Sequence, residues 1–388
     1  MDAKAAAQER LKPLRAEIID LSHRIHANPE EGFLETKAAE WTADLLAKAG
    51  FDVKTGICDI PTAFSATAGN GPLHICFCAE YDALPDIGHA CGHNIIAAAA
   101  VGAGIAAAAV ADAIGVTVTV LGTPAEENGD TGGKILLLER GAFNGIHAAM
   151  MVHPAPFDVL FPKVIAATMF DVLYTGKEAH ASAFPEMGIN AADALTIAQT
   201  AIGLLRQHIM PTMRIHGIVT HGGDAPNVVP GHTTARYIVR GDTLEELESL
   251  RPRVYRCFEA GALATGCKMD IIGGENPYSE MIHDPDIAAC YKRNSELLGR
   301  VYPSIVSEQQ KVVASTDMGN VSLVIPSIQP MIGINCFPAV NHQREFTAHC
   351  ISQAADQAIY DGALAMAWTA VDLASDMKIR TRLLAGSC

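Results

Sequence analysis

Charge is scarce in this chain. Only 18 % of its 388 residues are Asp, Glu, Lys or Arg, while 49 % are apolar. That balance excludes a disordered or collagen-like polymer and predicts a globular protein with sizeable cores. At about 100–200 residues per domain, two domains are expected. Basic charge is the scarcer sign: 28 Lys and Arg against 43 Asp and Glu give a net charge of −15. An acidic chain lacks the electrostatic footprint of a nucleic-acid binder, so no nucleic-acid partner is expected. No block of like charges reads as a tail. The longest apolar run, Ile95 to Ala111, is mostly Ala and Gly. It is too short and too weakly hydrophobic for a span of about 20 residues, so it reads as a buried helix and no membrane partner is expected. Met1-Asp2-Ala3-Lys4 has no apolar signal core. The ten cysteines, Cys388 among them, are therefore expected as thiols in a reducing cytoplasm rather than as a disulfide scaffold. Internal repeats, low-complexity linkers and coiled-coil heptads are all missing.

What is present is a change of pattern along the chain. Leu14, Ile18, Leu21 and Ile25 recur at helical spacing, and Asn28-Pro29 ends that helix. A second helix is predicted from Thr36 to Ala49, with Gly50 at its C-terminal stop. Leu73–Ala79, Val116–Leu121 and Ala148–Val152 read as buried strands around the Ala-rich helix from Ile95. Strand–helix–strand order with continuous apolar strands predicts an α/β domain with a largely parallel sheet. The middle reads as strand Ala166–Tyr174, helix Asn190–His208, strands Ile215–Val219 and Thr233–Arg240, helix Leu244–Ala264 and strand Met269–Ile272. That βαββαβ order predicts a small α+β unit. Strand Ser327–Ile334 and helix Gln353–Ala374 return to the first type. The expectation is one α/β domain, 1–164 and 276–388, interrupted by an inserted α+β domain, 165–275.

Three predicted strands run into polar residues. Leu73–Ala79 leads to Glu80-Tyr81-Asp82 and then His89-Ala90-Cys91-Gly92-His93-Asn94. Val116–Leu121 leads to Pro124-Ala125-Glu126-Glu127, and Ala148–Val152 to His153-Pro154. In open α/β sheets ligands bind beyond the carboxyl ends of the strands, so three strands aim chemistry at one edge. Cys91 and His93, separated by a small glycine in a turn-like loop, can converge on one ion. Thiolate and imidazole suit Zn²⁺, and imidazole with carboxylate also suits Mn²⁺, Co²⁺ or Ni²⁺. Asp82, Glu127 and His153 nearby strengthen that reading over a buried cysteine beside a capping histidine. The adjacent Glu126 and Glu127 point different ways, so one can hold a metal while the other acts as general base. A serine nucleophile has no Gly-x-Ser-x-Gly elbow. A Cys91 nucleophile with His93 as base would leave the glutamates and His153 without roles.

Taken together, these residues resemble the aminoacylase-type metallopeptidases. The similarity runs through Glu80-Tyr81-Asp82-Ala83-Leu84-Pro85, His89–Asn94, Pro124–Glu127 and His153-Pro154. It continues through Gly176-Lys177-Glu178-Ala179-His180, Asn227-Val228-Val229-Pro230 with Arg240, and His342-Gln343-Arg344-Glu345-Phe346. The nearest branch is the amidohydrolases that include hippurate hydrolase. Glu80, Asn94 and Ser315-Thr316-Asp317-Met318-Gly319-Asn320 depart from the auxin-conjugate hydrolases. These variants are similar to the aminobenzoyl-glutamate hydrolase and β-alanyl-lysine dipeptidase-like proteins. The resemblance implies a metal-binding catalytic domain and an inserted lid that forms a homodimer. It implies Cys91, His93, Glu127, His153 and His342 as ligands of one or two divalent ions, Glu126 as the base and Asp82 as the group orienting a ligand histidine. It further implies that His180 donates to the oxyanion in the partner subunit's site, and that Asn227 and Arg240 hold the substrate's carboxylate or nearby polar atoms. A guanidinium suits a carboxylate because its donors match bidentately.

The activity expected is metal-dependent hydrolysis of the amide bond of N-acyl or N-aroyl amino acids or small dipeptides, with Zn²⁺ or Mn²⁺ ahead of Co²⁺ or Ni²⁺. Two other readings use the same residues. Hydrolytic deamination of an aromatic amine would release ammonia and no new carboxylic acid. A catalytically inactive metal-dependent binder would have no use for the spare carboxylate of the Glu126-Glu127 pair.

Overall fold

A computed structural model describes residues 2–129, 131–302 and 313–386, and Cys388 lies outside them. The chain divides into two compact units. One comprises Met1–Asn128, Gly132–Lys163 and Met281–Cys388, the other Gly129–Thr131 and Val164–Glu280.

The first unit is built on a six-stranded sheet. Its strands run, side by side, Asp52–Thr55, Phe64–Ala68, Val116–Gly122, Leu73–Ala79, Ala148–Met150 and Ser327–Ile328. The two pairings at the Asp52 edge are antiparallel and the other three are parallel. Leu73–Ala79 and Val116–Gly122 are buried almost throughout, as strands covered on both faces must be. Helix His93–Ala108 is buried along nearly its whole length. Helix Gln353–Ser375 packs against it where Gly102 faces Ala363, and a Cβ on Gly102 would come within 2.8 Å of the Ala363 Cβ. Small residues let these two helices approach closely beside the sheet.

Parallel register sets the edge where the polar residues emerge. Ala79 lies beside Gly122, and Phe77 beside Met150. Glu80, Thr123 and Met151 therefore leave the sheet on the same side. The ladder breaks where prolines intervene. The strand expected over Ser327–Ile334 is two strands, Ser327–Ile328 and Met331–Gly333, separated by Gln329-Pro330. The run Ala148–Val152 stops at Met150, and a new strand, His153–Ala155, pairs with Met331–Gly333. Proline has no N–H for a central ladder, which explains the first break. The strands Asp52–Thr55 and Phe64–Ala68 carry no clear sequence signal because they are short and lack a continuous apolar run.

The second unit has the order strand Ala166–Thr175, helix Ala191–Leu205, strands Arg214–His221 and His232–Gly241, helix Leu244–Thr265 and strand Lys268–Gly273. Its antiparallel sheet runs Lys268–Gly273, Ala166–Thr175, His232–Gly241, Arg214–His221. Alternate residues Val172, Tyr174, Ala235, Tyr237 and Val239 turn inward and pack with Leu195, Ala198, Val254 and Phe258 of the helices. Arg214–His221 is one of the two edge strands and is mostly exposed. Among the described residues no helix is long and apolar enough to cross a membrane.

Candidate metal centre

Gly92 fixes the geometry of the first ligand pair. Its φ is +80°, and a Cβ there would lie 2.5 Å from Pro154 Cγ. Only glycine allows both the left-handed turn and that approach. His93 is consequently the first residue of helix His93–Ala108 rather than part of a loop, two residues earlier than the Ala-rich run signals. Its ring is fully buried. Nδ1 lies 2.8 Å from Asp82 Oδ1, while Asp82 Oδ2 accepts the backbone N–H of Glu127 at 2.8 Å. One carboxylate thus orients the imidazole and anchors the glutamate loop. With Nδ1–H donated to Asp82, Nε2 is the free ligand atom.

His153 is oriented in the same sense. Its Nδ1 donates to the Pro154 carbonyl at 2.9 Å, and its Nε2 faces Cys91 Sγ at 3.4 Å. His342 enters from a third segment, with φ +67° and its N–H on the Ala90 carbonyl at 2.8 Å. Its Nε2 is 3.4 Å from Glu127 Oε1. Asn341 ties this turn down by donating to the Pro154 carbonyl at 3.0 Å. Glu126 and Glu127 open a one-turn 3-10 helix. The preceding Ala125 has φ +59°, and its N–H donates to Glu35 Oε1 at 2.8 Å.

The donors converge in three overlapping groups: Cys91, His93 and His153; Cys91, Glu127 and His342; His93, Glu126 and Glu127. Within each group the ligand atoms lie within 4.8 Å of one another. His93 Nε2 is buried without a hydrogen-bond partner, with Glu126 Oε2 and Glu127 Oε1 both 3.8 Å away. An orphaned buried imidazole nitrogen facing carboxylate oxygens at that spacing fits a cation between them. Sulfur, nitrogen and oxygen donors in one pocket fit a divalent transition metal. Of the other histidines, His349 ends helix Arg344–His349 and joins none of these groups among the described residues.

Electrostatics reflect the crowding. Burial, then the charge of Glu127, pushes the Cys91 thiol well above its ordinary range, so it is no ready nucleophile without an ion. Burial lowers His153 to about 4. Burial alone would lower His93 too, but Asp82 outweighs it and raises His93 well above the ordinary range. For Glu127 burial works upward, yet the His342 imidazole and the charge of His93 prevail and hold it near 2. Glu126 goes the opposite way: burial, then Glu80 and Glu127, raise it well above the usual carboxylate range. A bound cation would take the place of the protons on Cys91 and His93.

His180, Asn227 and Arg240 belong to the second unit. His180 is exposed, and its Nδ1 accepts the backbone N–H groups of Ser182 and Ala183 at 3.3 and 3.2 Å. Its proton therefore sits on Nε2, which is a donor. The Asn227 carbonyl accepts the Ala181 N–H at 3.0 Å, and the residue is exposed. Arg240 is half-buried near the end of strand His232–Gly241, with Nε 3.3 Å from His216 Nε2.

Besides Asn341, two further residues around the centre carry no motif in the sequence. Glu35 holds the Ala125 bend. Lys134, wholly buried, contacts Glu80 and Asp317. The sole sequence signal for Lys134 is a lone cation before the apolar run Ile135-Leu136-Leu137-Leu138.

Residues 167–265 match a model described as the peptidase dimerisation domain of the M20 type. The Xaa-Arg dipeptidase of Mus musculus is 39 % identical, covering 96 % of this chain and 90 % of its own length. A p-aminobenzoyl-glutamate hydrolase chain of Escherichia coli (strain K12) is 33 % identical over 65 % of this chain and 56 % of its own. Among solved structures, a dinuclear metal-binding peptidase of the M20 family from Bacillus subtilis shares the fold, with TM-score 0.64 and 19 % identity over 94 % of this chain and 99 % of that one. Given a relative this similar along nearly the whole length of both chains, the protein belongs to the M20 family of aminoacylase-type peptidases and is a metal-dependent hydrolase of amide bonds.

Proposed function

We propose that the chain hydrolyses the amide bond of N-acyl or N-aroyl amino acids or small dipeptides, with Glu126 as general base. The observation that carries this reading is a pair of adjacent carboxylates at one cluster of metal-ligating side chains: Glu127 groups with Cys91 and His342, and both glutamates group with His93. The relatives' names, a dipeptidase for Xaa-Arg and a hydrolase for an aroyl-glutamate, support a substrate that ends in a free carboxylate.

Cys91, His93, Glu127, His153 and His342 would hold one or two divalent ions, Zn²⁺ or Mn²⁺ ahead of Co²⁺ or Ni²⁺. The ion supplies Lewis acidity, polarising the substrate carbonyl and lowering the pKa of water toward neutrality. Asp82 keeps the His93 lone pair aimed inward and fixes the Glu127 loop. Glu126 takes the proton of the attacking water and passes it to the departing amine nitrogen, for which a raised pKa is suited. His180, with its proton on Nε2, serves as oxyanion donor, a role worth about 3–4 kcal/mol in comparable sites. Asn227 and Arg240 bind the substrate carboxylate. A homodimer is supported by the exposed edge strand Arg214–His221, where Ile218 is 65 % and Val219 46 % exposed. The unpaired thiols among the described cysteines are in keeping with a reducing, cytoplasmic setting.

Glu126→Gln tests the assignment. The variant should bind Zn²⁺ or Mn²⁺ as the parent does while kcat on an N-acyl amino acid falls about 10²–10⁴-fold. Near-normal kcat would overturn the base assignment.

A further inference from the structure

Glu80 follows the strand Leu73–Ala79 directly and is fully buried. Its two carboxylate oxygens have different fates. Oε1 accepts the Lys134 ammonium at 2.5 Å. Lys134 is itself pinned, with Nζ 2.6 Å from Asp317 Oδ1 and its backbone N–H on Asp317 Oδ2 at 2.8 Å. Asp317 is also wholly buried, so neither partner of Glu80 can swing into solvent. Glu80 Oε2 has no hydrogen-bond partner and lies 3.5 Å from His93 Nε2, which is likewise without one, as is Glu127 Oε1.

A buried charged oxygen left unmatched costs more than an unmatched neutral group. Around Glu80 stand Glu126, Asp317 and Asp82, with Lys134 the buried ammonium among them. A cation beside His93 Nε2 would satisfy these orphans together. We propose that Glu80 is an additional oxygen ligand of the ion held at His93, and that Lys134 and Asp317 are positioning residues that present its Oε2. This rests on the metal-centre reading above.

Co²⁺ is a suitable probe, because its visible absorption reports the number and type of ligands and needs no turnover. Wild type, Glu80→Gln and the charge-balanced double variant Glu80→Gln/Lys134→Met would be titrated with Co²⁺ in competition with a chelator. Unfolding of each ion-free protein would be followed in parallel. The proposal expects Glu80→Gln to weaken Co²⁺ binding about 10–100-fold and to alter the visible band. The double variant should show the same weakening of Co²⁺ binding by its folded fraction, while its ion-free stability falls because Asp317 loses the Lys134 ammonium. If Glu80→Gln binds Co²⁺ with the parent's affinity and spectrum, the proposal fails while the metal centre stands. Lower ion-free stability with unchanged Co²⁺ affinity of the folded protein would make the pair purely structural, and would also overturn it. If the wild type itself takes up no Co²⁺, the metal-centre reading fails first.

Discussion

Asp82 uses one oxygen for the His93 ring and the other for the backbone of Glu127, so a single side chain sets an imidazole and a loop. Asp82→Ala should weaken Zn²⁺ or Co²⁺ binding about 10–100-fold, read by competition with a chelator; unchanged affinity would remove its orienting role. Glu35 offers a pH test. Burial, then the charge of Asp82, raises its carboxyl from 4.5 to about 7. The folded state therefore prefers the protonated form. The resulting stabilisation is complete below pH 4.5 and is lost as pH rises through 7, a difference of about 3 kcal/mol. Glu35→Gln cannot ionise, and its amide oxygen can still accept the Ala125 N–H. Its denaturant-unfolding stability relative to the parent should climb between pH 4.5 and 7; parallel pH profiles would contradict the shift. Glu35 could not be found from sequence because its bond to Ala125 spans 90 positions, and the Lys134–Asp317 contact spans 183. Cys91, His93 and the Glu126-Glu127 pair could be read as candidates because their spacing is local.

At the scale of elements, the sheet edge was legible wherever hydrophobic continuity and parallel register coincide, as in Leu73–Ala79 beside Val116–Gly122. The breaks at Gln329-Pro330 and before His153 were not, since apolar residues continue on both sides. The helix start at His93 was hidden for a similar reason: Ala-rich composition marks a helix body, whereas the start is set by the Gly92 turn against Pro154. Gly92→Ala places a Cβ in a left-handed turn and against that proline. Strain of about 1–2 kcal/mol with overpacking of about 1–3 kcal/mol should lower stability. Because the turn separates two candidate ligands, Zn²⁺ affinity should drop along with it. A melting temperature and metal affinity both equal to the parent's would show that the turn is not constrained as described.

For the whole molecule, composition and charge conveyed the class, and the βαββαβ order conveyed the inserted unit, because each helix and strand there has its own clear period. Assembly is tested at the exposed edge strand. Ile218→Lys should convert the proposed dimer to monomer in light scattering, with the unit's helical signal retained; an unchanged mass would place any interface elsewhere. The central claim is that amide hydrolysis depends on an ion gripped at the sheet edge. Its most direct test is to count metal per protomer in purified protein while assaying a panel of N-acyl amino acids and dipeptides before chelation, after it, and after Zn²⁺ or Mn²⁺ is restored. Activity should vanish with the metal and return with one or two ions per protomer. Full activity in protein shown to be metal-free would contradict the account.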